Sequence, residues 1–278
     1  MSVTLCIFAR IDPIMRKLLI ALLMLGSLPL LSQEDTLNRL DPQGQKTGYW
    51  IRKDAEGRKL YEGYFAHDHP MGNFKRYHPD GKVKAAMVYD STGRFVDARL
   101  YDEAGRLRAS GKYVDQKRDG LWNYLSEKGL PIYNIHYHQG QLSGQAIRFD
   151  AAGRPLEQTN WVDGTLHGEQ LTFHPDGKIQ SRIQYIQGKM DGEFLIAHSN
   201  GKPEITGRYL ENLKEGPWTY FKPDGQVDFI LEYQGGRLLN PGLLDQRQQE
   251  AFDRYERSRN LILDPEAYRN NPNEYLFR

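Results

Sequence analysis

Histidine is the residue type in this chain that first suggests metal chemistry, and four of the eight histidines fall in two close pairs, His67-x-His69 and His136-x-His138. This spacing would place both imidazoles of a pair on one face of a strand. A zinc site also needs a third ligand, and the residues one repeat away from His136, Lys112 and Asn160, are poor ones. We therefore interpret both pairs as exposed strand or turn residues and expect no metal site.

A second candidate is a column of basic residues that recurs at a fixed step along the chain and is broken at Leu130 and Gln226. In a regular array its members would lie about 10 Å apart along one edge, where they could bind an anionic polymer or a membrane surface. The alternative is a solvated turn position that is balanced locally by Asp80 and Asp176. The members of this basic column are Arg58, Lys82, Arg106, Arg154, Lys178 and Lys202.

Catalytic motifs are missing from the sequence. It has no G-x-S-x-G, no H-E-x-x-H and no phosphate-binding loop. The single cysteine, Cys6, lies in a segment that we expect to be removed, which excludes cysteine catalysis and thiolate metal sites in the remainder. With 37 Lys and Arg against 36 Asp and Glu, no net charge favours nucleic acid. We expect a protein without catalytic residues or cofactors.

The elements that would position these residues follow from a repeat of about 24 residues, a length within the range of known repeat architectures. One glycine column keeps this step without exception, at Gly57, Gly81, Gly105, Gly129, Gly153, Gly177, Gly201 and Gly225. A further glycine column runs from Gly48 to Gly216 and is broken at Val96 and then at Asn240. Fixed-step self-similarity of this kind is typical of repeat proteins, here of eight units.

Each unit is predicted to be a β-hairpin. In segments such as Val227 to Tyr233, apolar and polar residues alternate with period two, which is the antiparallel-strand pattern. The first glycine column fits a turn residue with positive φ, and a second turn follows at segments such as DGTLHG, residues 163–168. The predicted fold is all-β: an elongated, twisted antiparallel meander of sixteen strands. His78, His174 and His198 share one phase at the first turn, where we expect them to form structural hydrogen bonds.

A column of aromatic residues keeps the same step as the glycines. We expect each ring to stack on the equivalent ring of its neighbours and to hold the repeats together, in preference to a role as a platform for sugars. The members of this aromatic ladder are Phe65, Tyr89, Tyr113, Tyr137, Trp161, Tyr185, Tyr209 and Tyr233.

The repeat pattern resembles the bacterial variant of the MORN (membrane occupation and recognition nexus) repeat. The resemblance is carried by Gly120, Trp122, Tyr124 and Gly129, and by GPWTYF (residues 216–221) with Gly225 and Tyr233. It extends over all eight units. It implies a hairpin array that binds proteins or lipid headgroups as a scaffold and brings no catalytic residues. Similar proteins are also often labelled antitoxins.

The two ends differ in composition from the array. Arg16 and Lys17 precede an apolar run from Leu18 to Leu31, which fits a signal peptide, with translation starting at Met1 or Met15. An uncleaved membrane anchor is the alternative. We divide the chain into a signal peptide (1–32), a linker with a decayed half-repeat (33–47), the array (48–240) and a helical cap (241–278). A cleaved leader without a lipid-accepting cysteine implies a periplasmic, secreted or cell-surface protein.

The cap is predicted to begin at Asn240-Pro241 and to place Leu244, Ala251, Phe252 and Tyr255 on one helical face. It would cover the last strand or dock on a partner. A second helical turn is predicted at Asp264.

Binding is expected on the polar face of the sheet, opposite the aromatic ladder. The candidate contact residues share one phase: Lys112, His136, Asn160, Gln184 and Arg208. The partner expected is a protein. The alternatives are an anionic envelope polymer or lipid headgroup bound by the basic column, and a toxin bound by an antitoxin.

Overall fold

A computed structural model describes residues 37–259. In this part of the chain there are 19 strands and one helix. The strands are β1 Arg39–Leu40, β2 Lys46–Lys53, β3 Lys59–Ala66, β4 His69–Tyr77, β5 Val83–Tyr89, β6 Phe95–Tyr101, β7 Leu107–Val114, β8 Lys117–Leu125, β9 Pro131–His138, β10 Gln141–Phe149, β11 Pro155–Val162, β12 Thr165–Leu166, β13 Gly168–Phe173, β14 Ile179–Ile186, β15 Lys189–Ala197, β16 Pro203–Leu210, β17 Leu213–Phe221, β18 Val227–Gln234 and β19 Arg237–Leu238. Helix α1 is Pro241–Arg259. The predicted signal peptide and the helical turn at Asp264 lie outside the described residues.

The strands form one open antiparallel meander in which each strand pairs with the next along the chain. Since β12 and β13 are one strand interrupted at His167, the segments from β2 to β18 correspond to the sixteen predicted strands. The two-residue strands β1 and β19 add a short edge at either end. The predicted all-β repeat fold is confirmed.

Two kinds of turn alternate along the chain. At the first, the N–H of Gly81 donates to the carbonyl of His78 and the N–H of His78 donates to the carbonyl of Lys82, with Gly81 at φ +85°. This is a turn closed by a bulge, which needs a residue that accepts positive φ. At the second, His67 and Asp68 both have positive φ, as in a two-residue type I′ hairpin. One repeat period is therefore one hairpin plus one connecting turn.

Buried residues lie along one face of the sheet, where large side chains sit over glycines of the preceding strand. Trp122 is 1% exposed, and a Cβ on its neighbour Gly111 would lie 2.4 Å from the indole ring. Trp218 and Gly207 repeat this arrangement. Ala98 and Ala109 complete the cluster around Trp122. A single-layer sheet thus gains dense packing by alternating large and small residues between neighbouring strands.

The aromatic ladder packs differently from the prediction. Tyr209 does not stack on the next ladder residue. Instead it meets Trp218 edge to face at 5.0 Å, and Trp218 meets Tyr233 in the same way at 6.1 Å. Phe74 likewise lies between Phe65 and Tyr89, at 5.8 Å from each. The prediction of direct stacking was wrong because a ring from the intervening strand fills the space between ladder residues. Edge-to-face pairs are the favoured geometry for such rings.

The C-terminal end of the array is closed by Asn240 and helix α1. The side-chain amide of Asn240 donates to the carbonyl of Ile230 at 3.0 Å and accepts the N–H of Glu232 at 3.0 Å, so it pairs with the exposed side of β18. Arg247 of α1 donates to the carbonyl and carboxylate of Asp228.

The predicted apolar helix face was wrong. Phe252 is 57% exposed and Tyr255 is 58% exposed, because Arg247 fixes a different side of the helix against β18. At the other end of the array, Asn38 uses its side chain in the same way as Asn240 and accepts the N–H of Ile51 at 2.8 Å. Within residues 37–259, no helix has the length and apolar character needed to cross a bilayer.

Candidate binding face

The polar face of the sheet is the face opposite the aromatic ladder. Strand register places the five predicted contact residues in one row across this face, each opposite a residue of the preceding strand. The pairs are Asp97 with Lys112, Leu121 with His136, Gln145 with Asn160, Glu169 with Gln184 and Glu193 with Arg208. A second row runs parallel to it, two residues away on each strand, and contains Lys75, Ala86, Arg99, Ser110 and Asn123.

The two rows form a groove of about 640 Å³ over β4 to β8, which we call the basic groove. Its charged lining residues are Lys75, Arg99 and Lys112 with one carboxylate, Asp97. The ammonium of Lys112 lies 3.9 Å from a carboxylate oxygen of Asp97, and their side chains are 70% and 68% exposed. The exposed apolar side chains of Val88 and Leu121 lie in the same groove. The groove therefore offers cations beside small apolar surfaces.

A larger groove of about 1000 Å³ lies over β13 to β17, and we call it the acidic groove. It has more carboxylates than cations, because Glu169, Glu193 and Glu215 line it together with Arg182 and Arg208. Glu215 is already used, since it accepts the N–H of Gly235 at 2.6 Å. Arg182 is ion-paired with Glu169 at 3.5 Å, a distance and angle that do not make a hydrogen bond. The two grooves give the polar face opposite charge at its two ends.

The five predicted contact residues divide between these surfaces. Lys112 lies in the basic groove, while Gln184 and Arg208 lie in the acidic groove. His136 and Asn160 lie between the grooves, and both serve the fold. The imidazole Nδ1 of His136 is 3.0 Å from the carbonyl of Gln145, and the Asn160 amide donates to the carbonyl of Glu169 at 2.8 Å. Each side chain therefore satisfies a strand carbonyl beside a bulge.

The basic column lies along the first turns, where its cations already have partners. Arg106 donates to Asp102 of its own turn at 2.9 Å and to Glu127 of the next turn at 3.3 Å. Lys82 pairs with Asp80 at 3.0 Å, and its ammonium donates to the carbonyl of Glu103 in the next turn at 2.6 Å. Bonds to the following turn recur at Arg154, Lys178 and Lys202, whereas Arg58 bonds to Asp54 and Glu56 of its own turn. Five of the six column residues therefore join neighbouring turns.

The arginine members share a turn chemistry that the sequence analysis missed. Asp102 accepts the backbone N–H of Arg106 at 2.9 Å, and this bond is the largest of the effects that lower the Asp102 pKa to about 2. Asp54 pairs with Arg58, and Asp150 with Arg154, in the same way. The sequence signal for this turn is an aspartate three residues before the repeat glycine, and it is present wherever arginine directly follows that glycine.

The three repeat-phase histidines occupy that same turn position in three other units, and Ser126 and Lys222 occupy it in the remaining two. The Nε2 of His78 donates to the carbonyl of Tyr101 at 3.0 Å, and His174 and His198 do the same to Ala197 and Phe221. Because a carbonyl only accepts, Nε2 carries the proton in all three. The expected structural role is confirmed, although the bond reaches the next unit and not the histidine's own turn.

The paired histidines do not form a cluster. His67 lies in a type I′ turn with φ +48° and does not share a strand face with His69, and both are exposed, so the interpretation of this pair as exposed strand or turn residues is confirmed. His67 is bound to Asp41 at 2.9 Å, and His138 approaches Asp119 at 3.2 Å. Across residues 37–259, no three His, Cys, Asp or Glu side chains converge as metal ligands would.

Comparison with protein families identifies the repeat. The family described as the MORN repeat variant matches residues 72–91 and 166–187. The first stretch includes the turn at Gly81 and the ladder residue Tyr89, and the second includes the turn at Gly177 and Tyr185. The chain therefore carries MORN repeats of the variant type in these two stretches. No curated protein matches it significantly.

Three solved structures give local matches at low similarity. TarM matches with 17% identity over 34% of this chain and 19% of that chain, with a TM-score of 0.26. The GtfA/B complex bound to UDP and GlcNAc matches with 15% identity over 40% and 22%, with a TM-score of 0.20. A mutant of S. aureus TarM in complex with Fondaparinux, alpha-GlcNAc-glycerol and UDP matches with 13% identity over 48% and 21%, with a TM-score of 0.23. The chain spans about a fifth of the length of these structures.

Proposed function

We propose that this MORN-repeat chain is an exported, non-catalytic scaffold that binds a protein partner on the polar face of its sheet. MORN repeats mediate binding and scaffolding in general. The observation that carries the proposal here is the pair of open grooves, about 640 and 1000 Å³, on the face that bears Lys112, Gln184 and Arg208. Their mixture of charged and apolar side chains suits a protein surface.

The bonding of the cations favours the polar face over the basic column. Lys82 and Lys202 donate to carbonyls of the next turn at 2.6 Å, so an anion bound there would have to replace bonds that hold the turns together. Arg208, in contrast, is exposed, and within residues 37–259 it forms no ion pair or hydrogen bond. A partner that docks on the polar face meets cations that are free to bind it.

Export is supported by the segment before the array. Arg16 and Lys17 followed by the apolar run from Leu18 to Leu31 have the composition of a signal peptide. The proposal therefore places the partner in the periplasm or at the cell surface. The mature N-terminus, read by protein sequencing of the purified protein, tests this part on its own, with a start near Gln33 as the expected result.

The experiment for binding is affinity capture from a cell-envelope fraction, with washes at low and high salt. Two variants of the bait separate the candidate surfaces. The face variant carries Lys112→Ala, Gln184→Ala and Arg208→Ala, and the column variant carries Lys82→Gln, Lys178→Gln and Lys202→Gln. We expect a stoichiometric protein that survives high salt, is weakened by the face variant and is retained by the column variant.

Other outcomes would contradict the proposal. Capture of only glycan or lipid that washes off at high salt, and that the column variant loses, would assign binding to the basic column, because exposed charge contacts are screened by salt. A captured protein that is toxic when produced alone would support the antitoxin alternative.

A further inference from the structure

We propose that the basic groove over β4 to β8 recognises an acidic segment of the partner protein, with Lys75, Arg99 and Lys112 as the residues that bind its carboxylates. This inference rests on the proposed function, because it names the chemistry of the partner that docks on the polar face.

The basic groove leaves part of its positive charge uncompensated. Three cations face one carboxylate, Asp97, which lies 3.9 Å from Lys112 at the limit of an ion pair. Lys75 and Arg99 are exposed, and neither forms an ion pair or a hydrogen bond within residues 37–259. The basic column has the opposite character, since its cations are bonded to carboxylates and carbonyls. The cations of the groove are thus the ones available to a partner.

Asp119 of β8 lies opposite Lys112 and is already engaged, because it accepts the N–H of Gln139 at 3.1 Å and lies 3.2 Å from His138.

Glu62 of β3 lies opposite Lys75 at the edge of the groove. Its oxygens are already used, because one accepts the hydroxyl of Tyr77 and the other pairs with Lys59 at 2.9 Å. Glu62 therefore acts on the Lys75 ammonium only through its charge and leaves the N–H donors of that ammonium open to a partner.

The spacing of these cations matches that of side chains along a peptide. Lys75 and Arg99 lie in one cross-strand row on β4 and β6, with Ala86 of β5 between them. Two strand spacings separate their backbones by about 10 Å. Lys112 lies on β7, next to β6 and two residues along the strand from Ser110 of that row. A segment in the polyproline II conformation has three residues per turn and advances about 9 Å per turn, so carboxylates three residues apart lie on one face and would reach successive cations.

The apolar side chains of the groove favour a peptide over a membrane or a polyanion. Val88 and Leu121, 51% and 42% exposed, lie in the groove with the cations, and Asp97 stands between them in the same row. A regular polyanion or a layer of lipid headgroups would bring negative charge against Asp97 and would leave the apolar side chains unmatched. A peptide can place a carboxylate at each cation and an apolar side chain between them.

The test uses the full-length protein and a labelled synthetic peptide, Glu-Thr-Val-Glu-Thr-Val-Glu, followed by fluorescence anisotropy. The matched peptide has Gln in place of each Glu. The groove variant carries Lys75→Glu, Arg99→Glu and Lys112→Glu. The control variant carries Lys128→Glu, Lys222→Glu and Arg237→Glu, which change the net charge equally at exposed positions outside the groove.

We expect the acidic peptide to bind and the Gln peptide to bind about tenfold more weakly, since three exposed ion pairs are lost. The groove variant should bind the acidic peptide about tenfold more weakly than the native protein does. The affinity of the control variant for this peptide should stay within twofold of the native value. Equal losses in both variants would overturn the proposal by showing a non-specific charge effect. Equal binding of the Gln peptide, or no binding of either peptide, would also overturn it.

Anionic phospholipid vesicles serve as the competing probe. Binding of vesicles to the native protein that the groove variant abolishes would replace the peptide by a membrane surface and overturn the proposal. The proposed function is judged separately by envelope capture. If the native protein captures a partner and the groove variant captures it equally well, this inference fails while the scaffold function stands. If the native protein captures no protein, the scaffold function itself fails.

Discussion

At the scale of single residues, packing depends on a few positions where a glycine makes room for a ring. Trp122 and Trp218 are the largest fully buried side chains in the described part of the chain, and each lies directly over a glycine of the preceding strand. A sheet with one layer has little other core, so these rings carry much of the apolar burial. The glycines under them are as important to the fold as those in the turns.

The change Gly111→Ala tests this packing. A Cβ would come 2.4 Å from the Trp122 ring, so the ring or the strand must shift, and overpacking of this kind costs about 1–3 kcal/mol. Urea unfolding measures the loss. Gly242→Ala in helix α1 is the control, because nothing lies within 4 Å of the added Cβ. An unchanged stability of Gly111→Ala would contradict the observed packing.

Asp102 makes the stability of its turn depend on pH. The pKa of this carboxyl falls from 3.8 to about 2 in the folded chain, chiefly because it accepts the N–H of Arg106. A lowered folded-state pKa means that the ionised group stabilises the fold above about pH 4, and that this contribution disappears as pH falls from 4 towards 2. Asp102→Asn should therefore lower the melting temperature at pH 7 and should match the native protein at pH 2.

The control for this prediction is Asp163→Asn, an exposed residue at φ +47° in a type I′ turn, where asparagine fits equally well. We expect its melting temperature to follow that of the native protein at both pH values. A difference between Asp102→Asn and the native protein that persists at pH 2 would mean that the carboxylate charge is not the cause.

At the scale of elements, the open sheet has two edges that could pair with other chains. The structure closes both with asparagine side chains. Asn240 pairs with Ile230 and Glu232 of β18, and Asn38 pairs with Ile51 of β2. The asparagine that interrupts the second glycine column thus ends the array.

Asn240→Ala should expose the outer backbone groups of β18. We expect a loss of about 1 kcal/mol from the two missing hydrogen bonds and increased self-association at high concentration. Analytical ultracentrifugation measures the association. The control is Asn73→Ala, which changes an exposed asparagine within the sheet. We expect its self-association to equal that of the native protein. A strictly monomeric Asn240→Ala would show that helix α1 protects the edge alone.

The hairpins were predictable from the sequence because each turn requires a backbone that glycine tolerates, so Gly81 and its equivalents recur at a fixed step. The grooves were harder to predict from the sequence. Lys112 was found by its repeat phase. Lys75 and Arg99 also lie 24 residues apart, but they were missed because the next two positions at that step are Asn123 and Ile147, which carry no charge. Strand alternation would have placed them on the polar face. Their partnership with Lys112 depends on cross-strand register, which the repeat count alone does not give.

At the scale of the whole molecule, each unit pairs only with its neighbours, so the array should tolerate a change in the number of units. Deletion of residues 154–177 removes one whole repeat and joins Gly153 to Lys178 with the repeat phase intact. We expect a folded, somewhat less stable protein with the same circular dichroism spectrum per residue.

The control is a deletion of residues 155–177, which falls one residue short of a whole repeat. It moves every following side chain by one position, and a shift of one residue exchanges the two faces of a strand. This variant should unfold or aggregate. Equal stability of the two deletions would contradict the repeat architecture.

The central claim at this scale is that a protein partner covers the polar face and leaves the turn edge open. Lysine acetylation of the captured complex, read by mass spectrometry and compared with the free protein, measures this most directly. The account predicts protection of Lys75 and Lys112 on the polar face, with Lys82, Lys178 and Lys202 of the basic column as reactive as before. Protection of the column lysines with Lys75 and Lys112 still reactive would contradict it.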